Sequence, residues 1–450
     1  MGKKIYKWSL LYKIGWYYVY ISHKLFYSKI VVKGLENIPS DSPVILAPNH
    51  QNAFMDALKI VCSFPGQTVF MARADVFQNK FLAKIFRFLK IMPVYRIRDG
   101  YENLEKNDAI FNEAVDVLGN KKVLCLMPEG THGDRHVLKP LVKGIFRIAL
   151  IAAEKFPGSP PVIIPVGIEY SDYYSFRSQV VIQYGKPIHV NEYSGLYKNN
   201  PAKAINDLRE KLSVEMKKLM IHIDCLDLYE TVDYLKLCYQ PFGMRKLGYE
   251  KSNPWHRFLA DKWFTDICNT QYVTNSEMLY NLKDDVAILH YKLDLMKLKP
   301  EILLKKSPGI FKIIGAGFLY FVLSPIFFFG YFTHVGFVRF HKIFTGKIED
   351  PQFLSSLKYT VTTLFFPIYY GILWFLISFF TGNVLFQLLF LTGTGVLGEF
   401  AYFYFKLYIN FKQLLKVKIF RQEVKSVYPL WKSTIERLDA LCNCPNSLIG

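Results

Sequence analysis

The sequence predicts an α/β fold: a mostly parallel sheet flanked by helices, followed by a C-terminal α-helical membrane region. Three observations predict it. Between residues 29 and 220, short apolar runs alternate with helix-period segments, the order of a parallel sheet built from strand–helix–strand crossovers. Between 309 and 405, three apolar blocks are each long enough to reach across a hydrocarbon core of ~30 Å. The 450 residues are 51% hydrophobic, enough for a sizeable core, and mean hydropathy is +0.13.

In chain order, residues 1–27 start basic and become aromatic. Lys13 interrupts the apolar run and no small-residue cleavage site follows, so the segment is a poor signal peptide. It predicts an amphipathic helix lying in a membrane interface. Within 28–220, "IVVKGLENIP", "PVILAPN", "GQTVFMAR", "IMPVYR", "KKVLCLMP", "PVIIPVGIEY" and "VVIQYG" read as strands. Residues 52–63, 76–90, 103–119, 141–155 and 202–221 read as helices. The stripe Phe77, Phe81, Phe86, Phe88 with Lys80, Lys84, Arg87 and Lys90 suits either docking on anionic headgroups or a solvated basic face over a core stripe.

Residues 221–308 form a polar, helix-flavoured connecting region, 309–405 the transmembrane or re-entrant helices, and 406–450 a charged cytoplasmic tail. Charge placement constrains insertion. Basic clusters lie before the first block (Lys305, Lys306, Lys312), after it (Arg339, His341, Lys342, Lys347, Lys358) and after the third (Lys406, Lys412, Lys416, Lys418). A first block that bends at Ser324-Pro325 and returns keeps every cluster on one side, which the positive-inside rule prefers. "GTGVLG" (393–398) matches a dinucleotide fingerprint, but it lies in a membrane-length apolar block, where small residues let helices approach closely.

Lys plus Arg outnumber Asp plus Glu by 56 to 37, an excess suited to a polyanionic surface. The apolar blocks point to a lipid bilayer and away from nucleic acid. Seven scattered cysteines read as idle thiols in a reducing compartment. His132 and His136 are four apart, yet no third ligand is near in sequence, so no metal is expected. No G-x-S-x-G gives a serine nucleophile.

The chemistry-bearing stretch is "ILAPNHQNAFMDALKI". A neutral imidazole takes a proton from a hydroxyl when a carboxylate holds its other nitrogen. Six residues turn about 240° around an ideal helix, so His50 and Asp56 pair only if His50 precedes the helix, with Asn52 as N-cap. Alone, the pair reads first as two polar residues near a helix start, since many histidines at such loops are structural. Arg96 and Arg98 end another strand; Glu129-Gly130-Thr131 ends a third, with Arg135, Lys139 and Lys143 beyond. A base–carboxylate pair beside guanidinium and ammonium groups suits an acceptor carrying a hydroxyl and a phosphate.

In this order and spacing, "NHQNAFMD", "KIMPVYR", "PEGTHGD" and "VIIPV" resemble the four motifs of the glycerophospholipid acyltransferases, over about residues 28–220. The resemblance implies that His50 is the general base, oriented by Asp56. It implies that Arg96 and Lys143 contact an acceptor phosphate and that Glu129, Gly130 and Thr131 shape the binding loop. Three departures stand out. Five residues rather than four separate His50 from Asp56, as in some glycerol-3-phosphate acyltransferases. Lys90 replaces a usual Gly, and His132 a usual Arg, whose contact then falls to Arg135 or Arg98. The implied activity moves a fatty acyl chain from acyl-CoA or acyl carrier protein, as co-substrate and without cofactor, to lysophosphatidate. Glycerol 3-phosphate or another lysolipid is the alternative acceptor. A non-catalytic lipid-binding membrane protein is the alternative class. The expected setting is an integral membrane protein with its site facing the cytoplasm, in a bacterial inner membrane rather than endoplasmic reticulum.

Overall fold

The computed structural model describes residues 4–95, 106–304, 309–346, 348 and 350–443. These divide into two compact units, 1–222 with 350–356, and 223–349 with 357–450.

The first unit carries eight strands: β1 (Lys29–Lys33), β2 (Val44–Pro48), β3 (Val69–Arg73), β4 (Ile91–Val94), β5 (Val123–Cys125), β6 (Val162–Tyr170), β7 (Gln179–Tyr184) and β8 (Ile188–His189). They form one sheet in the order β1-β7-β6-β2-β5-β3-β4, with β8 paired to β6. Pairing is parallel except for β6 with β7 and β8. β2 and β6 are buried throughout, which is why they read as mainly apolar runs, broken only by Glu169 near the end of β6, rather than alternating ones. Pro165 is tolerated inside β6 because its carbonyl accepts from Gly185 in the β7–β8 turn. Its missing N–H therefore falls where the ladder is interrupted.

The helices of this unit are α1 (Leu10–Phe26), α2 (Ala53–Ser63), α3 (Lys80–Phe88), α4 (Lys106–Gly119), α5 (Gly144–Lys155), α6 (Ser194–Asn199) and α7 (Pro201–Leu219). Ile145, Phe146, Ile148, Ala149, Leu208 and Leu212 of α5 and α7 close the core against Ile45, Leu124 and Ile163. Adjacent β6, β2 and β5 all point the same way where they pair, so the segments after β2 and β5 and the end of β6 gather at one edge, where α/β sheets place their sites.

On α1, the turn-spaced Leu10, Leu11, Ile14, Tyr17, Tyr18, Ile21 and Leu25 are all exposed. None of the residues of α3 is buried, and Phe81 is 70% exposed. Of the stripe, Phe81 and Phe88 are exposed, while Phe77 and Phe86 are half-buried and pack on each other. Lys90 leaves the basic face of the stripe. It stands at φ +61°, the left-handed region that a glycine adopts freely. Its buried ammonium donates to Ile5 O (2.9 Å) and Lys7 O (2.7 Å). The lysine accepts a strained backbone in exchange for tying down the N-terminal segment.

The second unit holds α8 (Tyr229–Lys246), α9 (Pro254–Thr274), α10 (Ser276–Leu295), α11 (Ile310–Thr345), most of α12 (Leu354–Ser378), α13 (Val384–Ile419) and α14 (Arg421–Asn443). Three of its helices, over Ile313–Thr345, Pro351–Ser378 and Val384–Ile419, are long and apolar enough to cross a membrane. One expectation is corrected. The first apolar block does not bend back at Ser324-Pro325; α11 runs as a single helix of 36 residues, about 54 Å at 1.5 Å per residue. Pro325 frees the carbonyl of Phe321, and the Ser324 hydroxyl donates to that same oxygen (2.7 Å). The segment 406–443 is helical. It completes α13 and forms α14, which buries Val427, Trp431, Ile435 and Leu438 and packs on α8, α9 and α10. Of the glycines of "GTGVLG", Gly398 serves close approach: a Cβ there would lie 2.6 Å from the His334 ring.

Candidate active site

β2 delivers the first residues of the site. Just past its end, the Asn49 side chain bonds both backbone groups of Ile168 on β6, donating to its carbonyl (3.1 Å) and accepting from its N–H (2.7 Å). This pins the chain at the point where His50 begins. α2 starts only at Ala53, so His50 lies in the strand-to-helix loop, the one placement that lets it meet Asp56. The two do meet: His50 Nδ1 is 2.9 Å from Asp56 Oδ2.

Asn52 occupies the N-cap position, but its side chain caps nothing in α2. Asp56 does that work from inside the helix. Its Oδ2 also accepts the backbone N–H groups of Gln51 (2.8 Å) and Asn52 (2.7 Å), and its Oδ1 accepts the Tyr170 hydroxyl (2.7 Å). Asp56 is fully buried. Four donors on two oxygens is a load that a carboxylate's lone pairs can carry and an amide cannot. A carboxylate oxygen only accepts, so His50 Nδ1 bears the proton, and Nε2 offers its lone pair. The His50 side chain is 17% exposed, so the ring is not sealed inside the domain.

The turn after β5 holds His50 from the other side. Glu129 Oε1 accepts the His50 backbone N–H (2.7 Å), Oε2 accepts the Lys139 N–H (3.0 Å), and the Gly133 N–H donates to His50 O (3.1 Å). Glu129, expected among the substrate-binding residues that shape the loop, has both carboxylate oxygens on backbone N–H groups here. It is 4% exposed and both oxygens face backbone, so it braces the base. Burial pushes its carboxyl up to about 7, against the two N–H groups that favour the carboxylate. Gly130 sits at φ +65°, and a Cβ there would meet Val142 at 3.1 Å; the turn needs glycine. Thr131 is half-buried in the same turn.

The expected cations are less gathered. Arg96 and Arg98 lie outside the described residues. Arg135 is exposed, and its carbonyl accepts from the Gln51 side chain (3.1 Å). Lys143 is exposed at the N-cap position of α5; the Val142 N–H donates to Pro128 O (2.7 Å), which brings that helix start beside the Glu129 turn. The two histidines considered as metal ligands have separate carboxylates: His132 Nε2 is 3.4 Å from Asp350, and His136 Nε2 is 3.1 Å from Glu169. Among the described residues no three His, Cys, Asp or Glu side chains converge as a metal set would. Burial and neighbouring His50 hold His132 below its usual range, while Asp350 pulls it up.

Sequence reasoning missed Tyr170, Asn49 and Lys59. Tyr170 ends the fourth motif strand, and its place at a strand's carboxyl end was the available signal. Lys59, one turn beyond Asp56, is wholly buried, with Nζ 2.9 Å from His23 Nε2 and 3.2 Å from the centre of the Tyr27 ring. Burial holds its ammonium well below the usual lysine range. Nothing in the sequence distinguishes it from a surface lysine.

Residues 29–169 match the sequence model of the family described as Acyltransferase. Glycerol-3-phosphate O-acyltransferase 2 of Saccharomyces cerevisiae is 28% identical over 169 residues, covering 36% of this chain and 23% of its own. Glycerol-3-phosphate O-acyltransferase 1 of that yeast is 25% identical over 225 residues, 48% of this chain and 29% of its own. The chain thus spans between 23% and 29% of the length of these relatives. A 1-acyl-sn-glycerol-3-phosphate acyltransferase of Bacillus subtilis is 24% identical over 206 residues, 44% of this chain and 91% of its own. Among solved structures, the 1-acyl-sn-glycerophosphate acyltransferase PlsC of Thermotoga maritima is 21% identical, with a TM-score of 0.34 over 46% of this chain and 78% of that one. Residues 29–169 of this chain are therefore a domain of the Acyltransferase family.

Proposed function

We propose that the chain is a membrane-bound enzyme that transfers a fatty acyl group from a thioester carrier, acyl-CoA or acyl carrier protein, to the hydroxyl of lysophosphatidate. One observation carries the reading: a partly exposed imidazole whose Nδ1 is fixed on a fully buried carboxylate at 2.9 Å. His50 Nε2 takes the proton of the acceptor hydroxyl as that oxygen attacks the thioester carbonyl. Asp56 stabilises the imidazolium so formed. The tetrahedral intermediate collapses, the carbon–sulfur bond breaks, and the imidazolium returns its proton to the leaving thiolate. Arg96, Arg98, Arg135 and Lys143 are the proposed phosphate contacts, with a Gly130-Thr131 turn shaping the loop.

The exposed apolar faces of α1 and α3 support a lipid acceptor, because they suit a domain lying against the bilayer. A second reading, glycerol 3-phosphate, is favoured by the names of the two yeast relatives and by the five-residue gap between His50 and Asp56. We place the site on the cytoplasmic face of an integral membrane protein. Relatives come from yeasts and bacteria alike, so they do not favour a bacterial inner membrane over endoplasmic reticulum.

The test offers labelled acyl-CoA or acyl carrier protein, with lysophosphatidate, glycerol 3-phosphate and lysophosphatidylcholine as acceptors, to the purified full chain in lipid. Labelled phosphatidate is expected. Labelled lysophosphatidate alone would select the second reading, and no labelled lipid with any acceptor would leave a lipid-binding membrane protein as the account.

A further inference from the structure

The residues 350–356 group with the unit that contains His50, although they lead into an apolar helix far along the chain. Building on the proposed role of His50, we infer that this segment is part of the active-site framework. Ser355 is a positioning residue that sets Asp56 and His50 through Asn52, while Phe353 and Asp350 hold His132 against the His50 ring.

The first route runs beneath the base. Asn52 and Ser355 are both buried, at 1% exposure each. The Ser355 hydroxyl donates to Asn52 Oδ1 (2.6 Å) across 303 residues of sequence. Asn52 Nδ2 donates to Tyr173 O (3.0 Å). The amide is thereby held in tertiary contacts, which explains why an Asn at the N-cap position does not itself cap α2. With the amide locked, the Asn52 backbone N–H points at Asp56 Oδ2 (2.7 Å), on the same oxygen that holds His50. Without the serine hydroxyl, Asn52 Oδ1 becomes a buried acceptor lacking its donor. The nearest remedy for such an amide is to swing toward the N–H groups of the first helical turn. That swing disturbs the turn that Asp56 grips. Ala53, at φ +42°, is already in a conformation that an L residue rarely adopts, so this turn depends on its surroundings.

The second route runs beside the base. The His132 ring stands edge-on to the His50 ring at 5.5 Å, and Phe353 stands edge-on to His132 at 4.9 Å. Asp350 Oδ2 lies 3.4 Å from His132 Nε2. The segment thus reaches His50 through two chains of contact that share no residue. Its place here means that the region after residue 308 supplies part of the site as well as apolar helices.

The test uses the full chain in lipid and compares wild type, Ser355→Ala and Ser355→Thr. Turnover and acceptor KM are measured, and the rate at which diethylpyrocarbonate modifies His50 is followed by mass spectrometry. Loss of the hydroxyl is expected to lower kcat about tenfold with acceptor KM held within about twofold. Ser355→Ala should also change the His50 modification rate, and Ser355→Thr, which keeps the hydroxyl, should restore both. Wild-type kcat and wild-type His50 modification in Ser355→Ala would overturn the inference, as would equal losses in the Ala and Thr variants. If the wild type transfers no acyl group, the proposed function fails, and the His50 modification rates alone decide the role of Ser355.

Discussion

Asp56 separates the chemistry of the site from its stability, provided the substitution is chosen with care. Four donors meet its two oxygens: His50 Nδ1–H, the N–H groups of Gln51 and Asn52, and the Tyr170 hydroxyl. Asp56→Ala leaves all four without an acceptor in a buried place. At about 1–3 kcal/mol for each stranded group, the loss is about 4–12 kcal/mol, comparable to a typical total stability of about 5–15 kcal/mol. An inactive alanine variant would therefore say nothing about catalysis. Asp56→Asn keeps the volume. Its oxygen can take the Oδ2 position and keep two of the three donors there, and its NH2 can donate to the Tyr170 oxygen, which accepts as well as donates. Two charge-assisted bonds become neutral ones at about 1 kcal/mol apiece and one donor is stranded at about 1–3 kcal/mol, so the fold should survive with a loss of about 3–5 kcal/mol. The imidazolium would lose its counter-charge, and kcat should fall about a hundredfold to ten-thousandfold. The assay pairs acyl transfer with thermal unfolding of the same lipid-reconstituted samples. Turnover within a few-fold of wild type in Asp56→Asn would refute the reasoning, as would an alanine variant as stable as the asparagine one.

Tyr170→Phe removes one donor from Asp56 and leaves its other three; kcat should fall only a few-fold, and a loss as large as that of Asp56→Asn would mean that Tyr170 has a larger part than holding the carboxylate. Lys90→Gly relieves the left-handed backbone, worth about 1 kcal/mol, but deletes two ammonium bonds to Ile5 and Lys7 worth about 1.5–3 kcal/mol each, so limited proteolysis should cut the N-terminal segment sooner; unchanged protection would contradict the tie. For Glu129, the folded value of about 7 lies above an ordinary 4.5, so the folded state holds the extra proton between these limits. Its contribution is complete below about 4.5 and is lost as pH rises through about 7, about 3 kcal/mol in all at ~1.4 kcal/mol per decade. Melting temperature should therefore fall across that window more steeply in wild type than in Glu129→Gln, and parallel slopes would count against the assignment.

The pattern of the fold was legible because its strongest signals are local. The apolar runs of β2 and β6 announce strands buried on both faces, and the first and third motifs follow the ends of β2 and β5. The His50–Asp56 pairing followed from a single geometric condition, that His50 precede the helix, and α2 meets it by starting at Ala53. The rest depended on contacts that sequence spacing does not encode. Asn52 was legible as an N-cap position, but not that its amide would be claimed by Ser355, 303 residues away. Glu129 looked like a ligand group because a carboxylate beside a Gly-Thr turn is ordinarily solvated; here two backbone N–H groups draw it inward. Lys90 read as part of a basic face because its spacing fits the α3 stripe, yet its left-handed backbone turns it toward the carbonyls of the N-terminal segment. Pro325 read as a bend because the compensating hydroxyl, Ser324, acts only once a helix exists to present the Phe321 carbonyl.

The central claim is that His50 activates the acceptor hydroxyl directly. Single-turnover transfer from a labelled acyl thioester, by equal amounts of folded wild type and His50→Gln in lipid, tests it most directly. Label should pass to the lipid without stopping on the protein, and His50→Gln should slow that passage about a hundredfold to ten-thousandfold. A labelled protein intermediate, or a variant within a few-fold of wild type, would contradict it.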